Sequence, residues 1–291
     1  GNPSAVTSLT VRIDTVDPVT TSDAPTGWQT ADFDITLTPT DATSGVYQTY
    51  YSWDGDAPVL YGVPFAALEG EHVLSFWSVD HAGNVETSVT ADIALDTVDP
   101  DVTIDTPADA LVTSGTVTPA AHSTDPSATL SATLNGGPFS LGSTVATEGV
   151  WVLVVTATDP AGNTATDTVT FTIDTTPADV TITPAPFTPD GENGWYDSSP
   201  VLATVSSSEG SAMLFYSLDS STGPWSAYLA PVSLSDEGTT TIWAYAADSL
   251  GNPSAVTSLT VRIDTVDPTT TSDAPTGWQT TDFDITLSPT D

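Results

Sequence analysis

The chain has 291 residues, with 38 acidic side chains against two basic ones and a formal net charge of −36. That balance excludes nucleic acid and anionic membrane as partners, because both require a basic footprint. No apolar run is long enough to span a bilayer and cysteine is absent, so neither membrane insertion nor a disulfide framework is expected.

In chain order, the first signal is a repeat. Gly1–Asp41 returns as Gly251–Asp291 with three differences, Val19/Thr269, Ala31/Thr281 and Thr38/Ser288. Self-similarity at a fixed period marks a repeat architecture. The two bases, Arg12 and Arg262, occupy one repeat position. The chain reads as one 250-residue repeat plus an overlap. It is expected to be a window on a longer array, its end fragments completed by covalent continuation rather than by strands from another chain.

Strand signals follow. Phe33, Ile35 and Leu37 share one face of an alternating segment. Leu74, Phe76 and Ser78 share a face of another, with Val73, Ser75 and Trp77 opposite. Period-two alternation with Gly, Pro, Asn and Asp punctuation predicts short strands, and no amphipathic helix interrupts them. Despite the acidity, disorder is not expected, since 38% of residues are hydrophobic and Trp, Tyr and Phe number eight each. The fold class expected is all-β, a tandem and extended array of immunoglobulin-like sandwiches.

Two phrases punctuate the array. IDTVDP (13–18), LDTVDP (95–100), IDTTPAD (173–179) and IDTVDP (263–268) each follow a strand. Before them come DHAGN (80–84), DPAGN (159–163) and DSLGN (248–252), with a fragment GN at 1–2. They divide the chain into 1–17 (last strand and linker of a preceding domain), 18–97, 98–175, 176–265 and 266–291 (start of the next repeat). The modules at 18–97 and 176–265 are related through YYSWDG (50–55) and FYSLDS (215–220). The middle one keeps TEGVWVLVVTATDPAGN (147–163) and is a variant.

This pattern, V-x-V-x-A-x-D-x-A-G-N, a strand and I-D-T-T-x-P, resembles bacterial immunoglobulin-like (Big) repeat domains of large cell-surface proteins. The resemblance implies stalks, spacers and surface filaments, often with calcium at the junctions.

Sandwich topology puts the turn between the last two strands at the pole where the previous linker arrives. Asp14 and Asp17 should therefore meet Asp80 and Asn84. Asp96, Asp99 and Asp101 should meet Asp159 and Asn163. Asp174 and Asp179 should meet Asp248 and Asn252, while the partners of Asp264 and Asp267 lie beyond the sequence. Carboxylates converging without a base repel, and calcium, with six to eight oxygen ligands, would relieve this. Asp is also favoured over Glu, 31 to 7, as suits turns and tight oxygen cages. The competing reading is plain turn chemistry, in which the Asp caps backbone N–H groups and binds nothing.

No enzymatic motif is present, and His72, His81 and His122 share no ligand spacing, so no enzyme is expected. Trp77, Trp243 and Tyr245 are expected to point outward, with Trp53 and Trp225 near. They could be covered by their own domain, pack between chains or stack on sugar. The function expected is an extracellular, cell-surface structural stalk, extender or filament. Its partners would be other copies of the repeat, in cis and laterally. The alternatives are a carbohydrate-binding surface module with a glycan partner, or an accessory region of a giant secreted enzyme.

Overall fold

A computed structural model describes residues 4–291, so the GN fragment at 1–2 lies outside the described residues. Strand dominates, and one short 3₁₀ turn, Glu192–Gly194, is the sole helical element among the described residues. The chain divides into two compact units. One comprises residues 1–111, 117–145 and 151–171, and the other residues 112–116, 146–150 and 172–291.

In the first unit, Val19–Ser22 pairs antiparallel with Leu37–Thr40, and Asp34–Ile35 with Phe65–Ala66. Facing them is a five-stranded sheet in the order Trp28–Gln29, Val89–Leu95, Gly70–Asp80, Val46–Trp53, Val59–Leu60. Alternation decides which face is buried. Along Gly70–Asp80, Leu74, Phe76, Ser78 and Asp80 are buried while the residues between them are partly exposed. Ile35, Leu37, Leu74, Phe76 and Ile93 form the core. Each such apolar side chain contributes about 1.5–3 kcal/mol when removed from water.

Ser78 sits on the core face without cost because its hydroxyl is bonded to Thr20 Oγ1 at 2.6 Å and Thr49 Oγ1 at 2.8 Å. Glu86 joins this network, accepting from Thr20 N (2.7 Å), Thr20 Oγ1 (2.6 Å) and Ser78 N (3.0 Å). The glutamate thus fastens the first strand to the strand ending at the turn.

The middle module pairs Thr103–Thr106 with Ala120–His122, and Thr129–Leu134 with both Gly137–Phe139 and the strand Gly149–Thr158. The third pairs Val180–Ala185, Val201–Ser207 and Val232–Leu234 against a sheet of Ser226–Ala227, Met213–Leu218, Gly238–Ala247 and Thr257–Ile263. Phe76, Val155 and Ala244, at matching offsets before the turn Asp, are all buried.

One hairpin detail recurs three times along the chain. Asp54, Asn135 and Asp219 all take left-handed backbone, φ 49°, 48° and 56°. Their side chains accept from Val73 N, Val152 N and Thr241 N at 2.8 Å each. Asp and Asn tolerate this conformation better than other residues with a Cβ.

Candidate functional site

The candidate site is the joint where a D-T linker meets the D-x-x-G-N turn of the next module. The turn is self-contained. Asp80 Oδ1 accepts from Gly83 N (2.7 Å) and Asn84 N (2.8 Å), and Asp80 Oδ2 from Asn84 Nδ2 (2.7 Å). Asp159 does the same with Gly162 N (2.7 Å), Asn163 N (2.9 Å) and Asn163 Nδ2 (3.0 Å). Asp248 uses Leu250 N (2.8 Å), Asn252 N (2.8 Å) and Asn252 Nδ2 (2.7 Å). Burial pushes each of these carboxyls up. The asparagine amide and backbone N–H donors outweigh it and hold all three below the ordinary 3.8.

The same asparagines reach across to the linker. Asn163 Nδ2 donates to Asp96 O at 2.8 Å, and Asn252 Nδ2 to Asp174 O at 2.9 Å. Asn84 Nδ2 makes longer contacts, 3.3 Å to Asp14 O and 3.4 Å to Val16 O. The turn therefore holds the linker by its backbone carbonyl. The linker Asp side chains cap their own turn, and Asp14 Oδ2 in addition accepts from Ser44 N of the module ahead at 2.8 Å. Asp14, Asp96, Asp174 and Asp264 each accept from the N–H two residues on, at 3.0, 3.0, 3.1 and 3.2 Å.

A second set of residues, missed in the sequence, grips the linker from the module it leaves. Glu69 accepts from Thr97 N (2.8 Å) and Thr97 Oγ1 (3.2 Å). Glu148 accepts from Thr175 Oγ1 (2.7 Å) and Thr176 Oγ1 (2.5 Å), and Glu237 from Thr265 N (3.1 Å) and Thr265 Oγ1 (2.5 Å). The Thr hydroxyls hold the Glu148 carboxyl below its ordinary 4.5. In each case the glutamate precedes a glycine of positive φ, Gly70 at 105°, Gly149 at 138° and Gly238 at 98°, a conformation few residues with a Cβ adopt. The available signal was an E-G pair recurring 26 or 27 residues before the Asp of each D-T phrase.

The remaining predicted residues lie elsewhere. Asp17, Asp99 and Asp267 are exposed. Asp101 is bonded to Thr124 N (2.7 Å) and Ser123 Oγ (3.1 Å) of its own module's loop. Asp179 engages Ser208 through its backbone N–H at 3.1 Å.

One joint has more. Carboxylate oxygens of Asp14, Asp41 and Asp80 lie within 4.8 Å of one another, the sole such group of three among the described residues. Asp41 Oδ2 accepts from Ser44 N (2.9 Å) and Gly45 N (2.6 Å). Asp41 Oδ1 and Ser44 Oγ are closed off from solvent; the Ser44 side chain helps hold the Asp80 carboxyl low, while Asp41 Oδ1 has no hydrogen-bond partner. A buried carboxylate oxygen left unpaired beside two others is unfavourable. The donors are all oxygen, the kind that hard divalent cations take.

The histidines are accounted for by pairing. His72 Nδ1 lies 2.6 Å from Asp54 Oδ2, His122 Nδ1 2.9 Å from Asp105 Oδ1, and His81 Nδ1 3.0 Å from Gly45 O. Outward aromatic rings cover each other. Trp77 stacks on Tyr50, while Tyr245 stacks on Phe215 and meets the edge of Trp225.

No family model matches the chain, and no curated protein matches it. Among solved structures, it is similar to a 1.5-MDa bacterial ice-binding adhesin described for host cell surface retention, at 16% identity and a TM-score of 0.37. That match covers 81% of this chain and 91% of the other. Protocadherin gamma B2 cadherin domains 3–6 match at 12% identity and a TM-score of 0.34, over 86% and 76% of the two chains. A tetra-tandem repeat from the extending region of a large adhesion protein matches at 16% and 0.29, over 86% and 74%.

Proposed function

We propose that the chain is a stretch of an extracellular structural repeat protein, a stalk or extender of a cell surface, built from modules at 18–97, 98–175 and 176–265. The observation that carries this reading is the linker held from both sides. A glutamate of the module behind grips its Thr, and an asparagine of the module ahead grips its Asp carbonyl. A chain that spends its repeated residues on fixing joints transmits position. Membership of the bacterial immunoglobulin-like repeats is part of this proposal.

At the joint entering the first module, Asp14, Asp41, Asp80 and Ser44 would hold a divalent cation such as calcium. Bound there, the ion would offset the mutual repulsion of the three carboxylates. Asp41 and Ser44 belong to the module, and Asp14 to the linker, so their shared ligation would resist bending.

Small-angle scattering tests the extended arrangement. At ~3.3 Å per strand residue, three modules should span roughly 110–130 Å. A compact globule would refute the reading.

A further inference from the structure

We infer that His72 is the positioning residue of a pH-dependent joint: doubly protonated, its imidazole braces Glu69 on the linker leaving the first module, and with the proton lost that grip, alone of the three, loosens.

His72 is the third residue of the strand Gly70–Asp80, and its side chain is 24% exposed. Both ring nitrogens are engaged. Nδ1 lies 2.6 Å from Asp54 Oδ2, and Nε2 lies 2.9 Å from Glu69 O. A carboxylate and a carbonyl can only accept, so both nitrogens must donate, and only the imidazolium carries two N–H groups. A neutral ring leaves one of the two acceptors without its donor. The surroundings favour the charged form. The Asp54 carboxylate first, and then the Glu69 carbonyl, hold the imidazolium above its ordinary 6.5. Asp54 is itself held below its ordinary 3.8, chiefly by Val73 N and then by His72. The other charged side chains on the elements around the ring are acids too. They are Asp56 in the turn with Asp54, Glu71 on the same strand, and Asp92 on Val89–Leu95, whose Ile93 is the register partner of His72. Trp53, T-shaped to the ring at 5.9 Å, and Phe65 beyond it bring no charge.

The brace reaches the linker through one residue. Glu69 offers its carbonyl to His72 and its carboxylate to Thr97 N (2.8 Å) and Thr97 Oγ1 (3.2 Å). The ring lies across Gly70, at φ 105°, where an added Cβ would stand 3.5 Å from Nε2. The other two glutamates reach their Thr hydroxyls at 2.7, 2.5 and 2.5 Å. Glu69 thus holds its hydroxyl least closely and depends most on how its backbone is placed.

At the position of His72 the other modules carry Trp151 and Thr240, each two residues beyond the positive-φ glycine. Neither residue type titrates near neutral pH. The response is therefore confined to one joint of the three. Because the folded-state value of His72 is raised, the brace is complete below 6.5 and lost as pH rises through that raised value. The device needs only the Glu69 grip and stands apart from the stalk reading, which scattering tests by itself.

The test is a titration of the 291-residue chain from about pH 5.5 to about pH 9, with His72 protonation followed by NMR. Protection of the Thr97 amide is followed alongside by hydrogen exchange, corrected for the intrinsic rate at each pH. His72 should titrate above 6.5. Thr97 protection should fall about two- to fivefold across the same midpoint, the modest range of an exposed pair. The Thr265 amide, held by Glu237 at 3.1 Å, should show no step there. His72→Gln, which still donates but carries no titrating proton, should abolish the Thr97 step, with the fold verified by circular dichroism. If that variant fails to fold, the parent decides, because Thr97 and Thr265 are read in one chain. A His72 that titrates at or below 6.5, a Thr97 amide indifferent to its titration, a matching step at Thr265, or a step that persists in His72→Gln would each overturn the inference.

Discussion

Replacing Asn163 with alanine removes one side chain that serves both a turn and a joint. Its amide donates 2.8 Å to Asp96 O and 3.0 Å to Asp159 Oδ2. Asn163 is only 7% exposed, so water cannot readily substitute for the lost donors. Losing a hydrogen bond and stranding a buried acceptor costs about 2–3 kcal/mol. For a module of this size that is roughly 10–20 °C in thermal midpoint. Locally it corresponds to amide exchange faster by about 30- to 160-fold in the turn, when opening there is the route of exchange. Asn163→Asp is the sharper arm. It keeps the shape but sets a carboxylate against both Asp159 and the Asp96 carbonyl, so it should destabilise more than alanine does. Hydrogen exchange read by mass spectrometry over residues 157–165 and 94–98, with calorimetry of the whole chain, supplies the assay. Exchange altered less than threefold in both variants would refute the claim that the asparagine latches the joint.

Other outcomes follow from the same geometry. Glu86→Ala strands Thr20 N and Ser78 N and leaves Thr20 Oγ1 with Ser78 Oγ alone, and should cost about 3 kcal/mol, read as a lower denaturation midpoint of the first module. Asp80, Asp159 and Asp248 titrate below their ordinary 3.8 in the folded chain. Their contribution is therefore fully present above that value and lost as pH falls through the depressed folded values. Thermal midpoints of single alanine variants at these positions should thus converge on the parent's only below about pH 4. Convergence between pH 5 and 7 would contradict the assignment. Gly149→Ala meets open space but must hold φ at 138°, so it should displace Glu148 and loosen Thr175 and Thr176, seen as faster exchange over 174–177.

The sequence by itself determined the fold class and the buried face of the strand Gly70–Asp80. Alternation is local, and at Phe76, Val155 and Ala244 it sufficed to name buried positions. The repeat also pointed to candidate joints, because its phrases recur in one order. Tertiary structure decided what those phrases do. At Asp96 and Asp174 the linker Asp caps its own turn, and its backbone carbonyl, invisible in sequence, is what the next module grips, while in VRIDTVDP the Asp14 carboxylate also takes Ser44 N. Glu69, Glu148 and Glu237 escaped notice because a grip across 27 or 28 residues depends on where the last strand returns, not on neighbouring chemistry. Asp41 was hidden for the same reason. It reads as one more turn aspartate until folding buries its Oδ1 and brings the carboxylate beside Asp14 and Asp80.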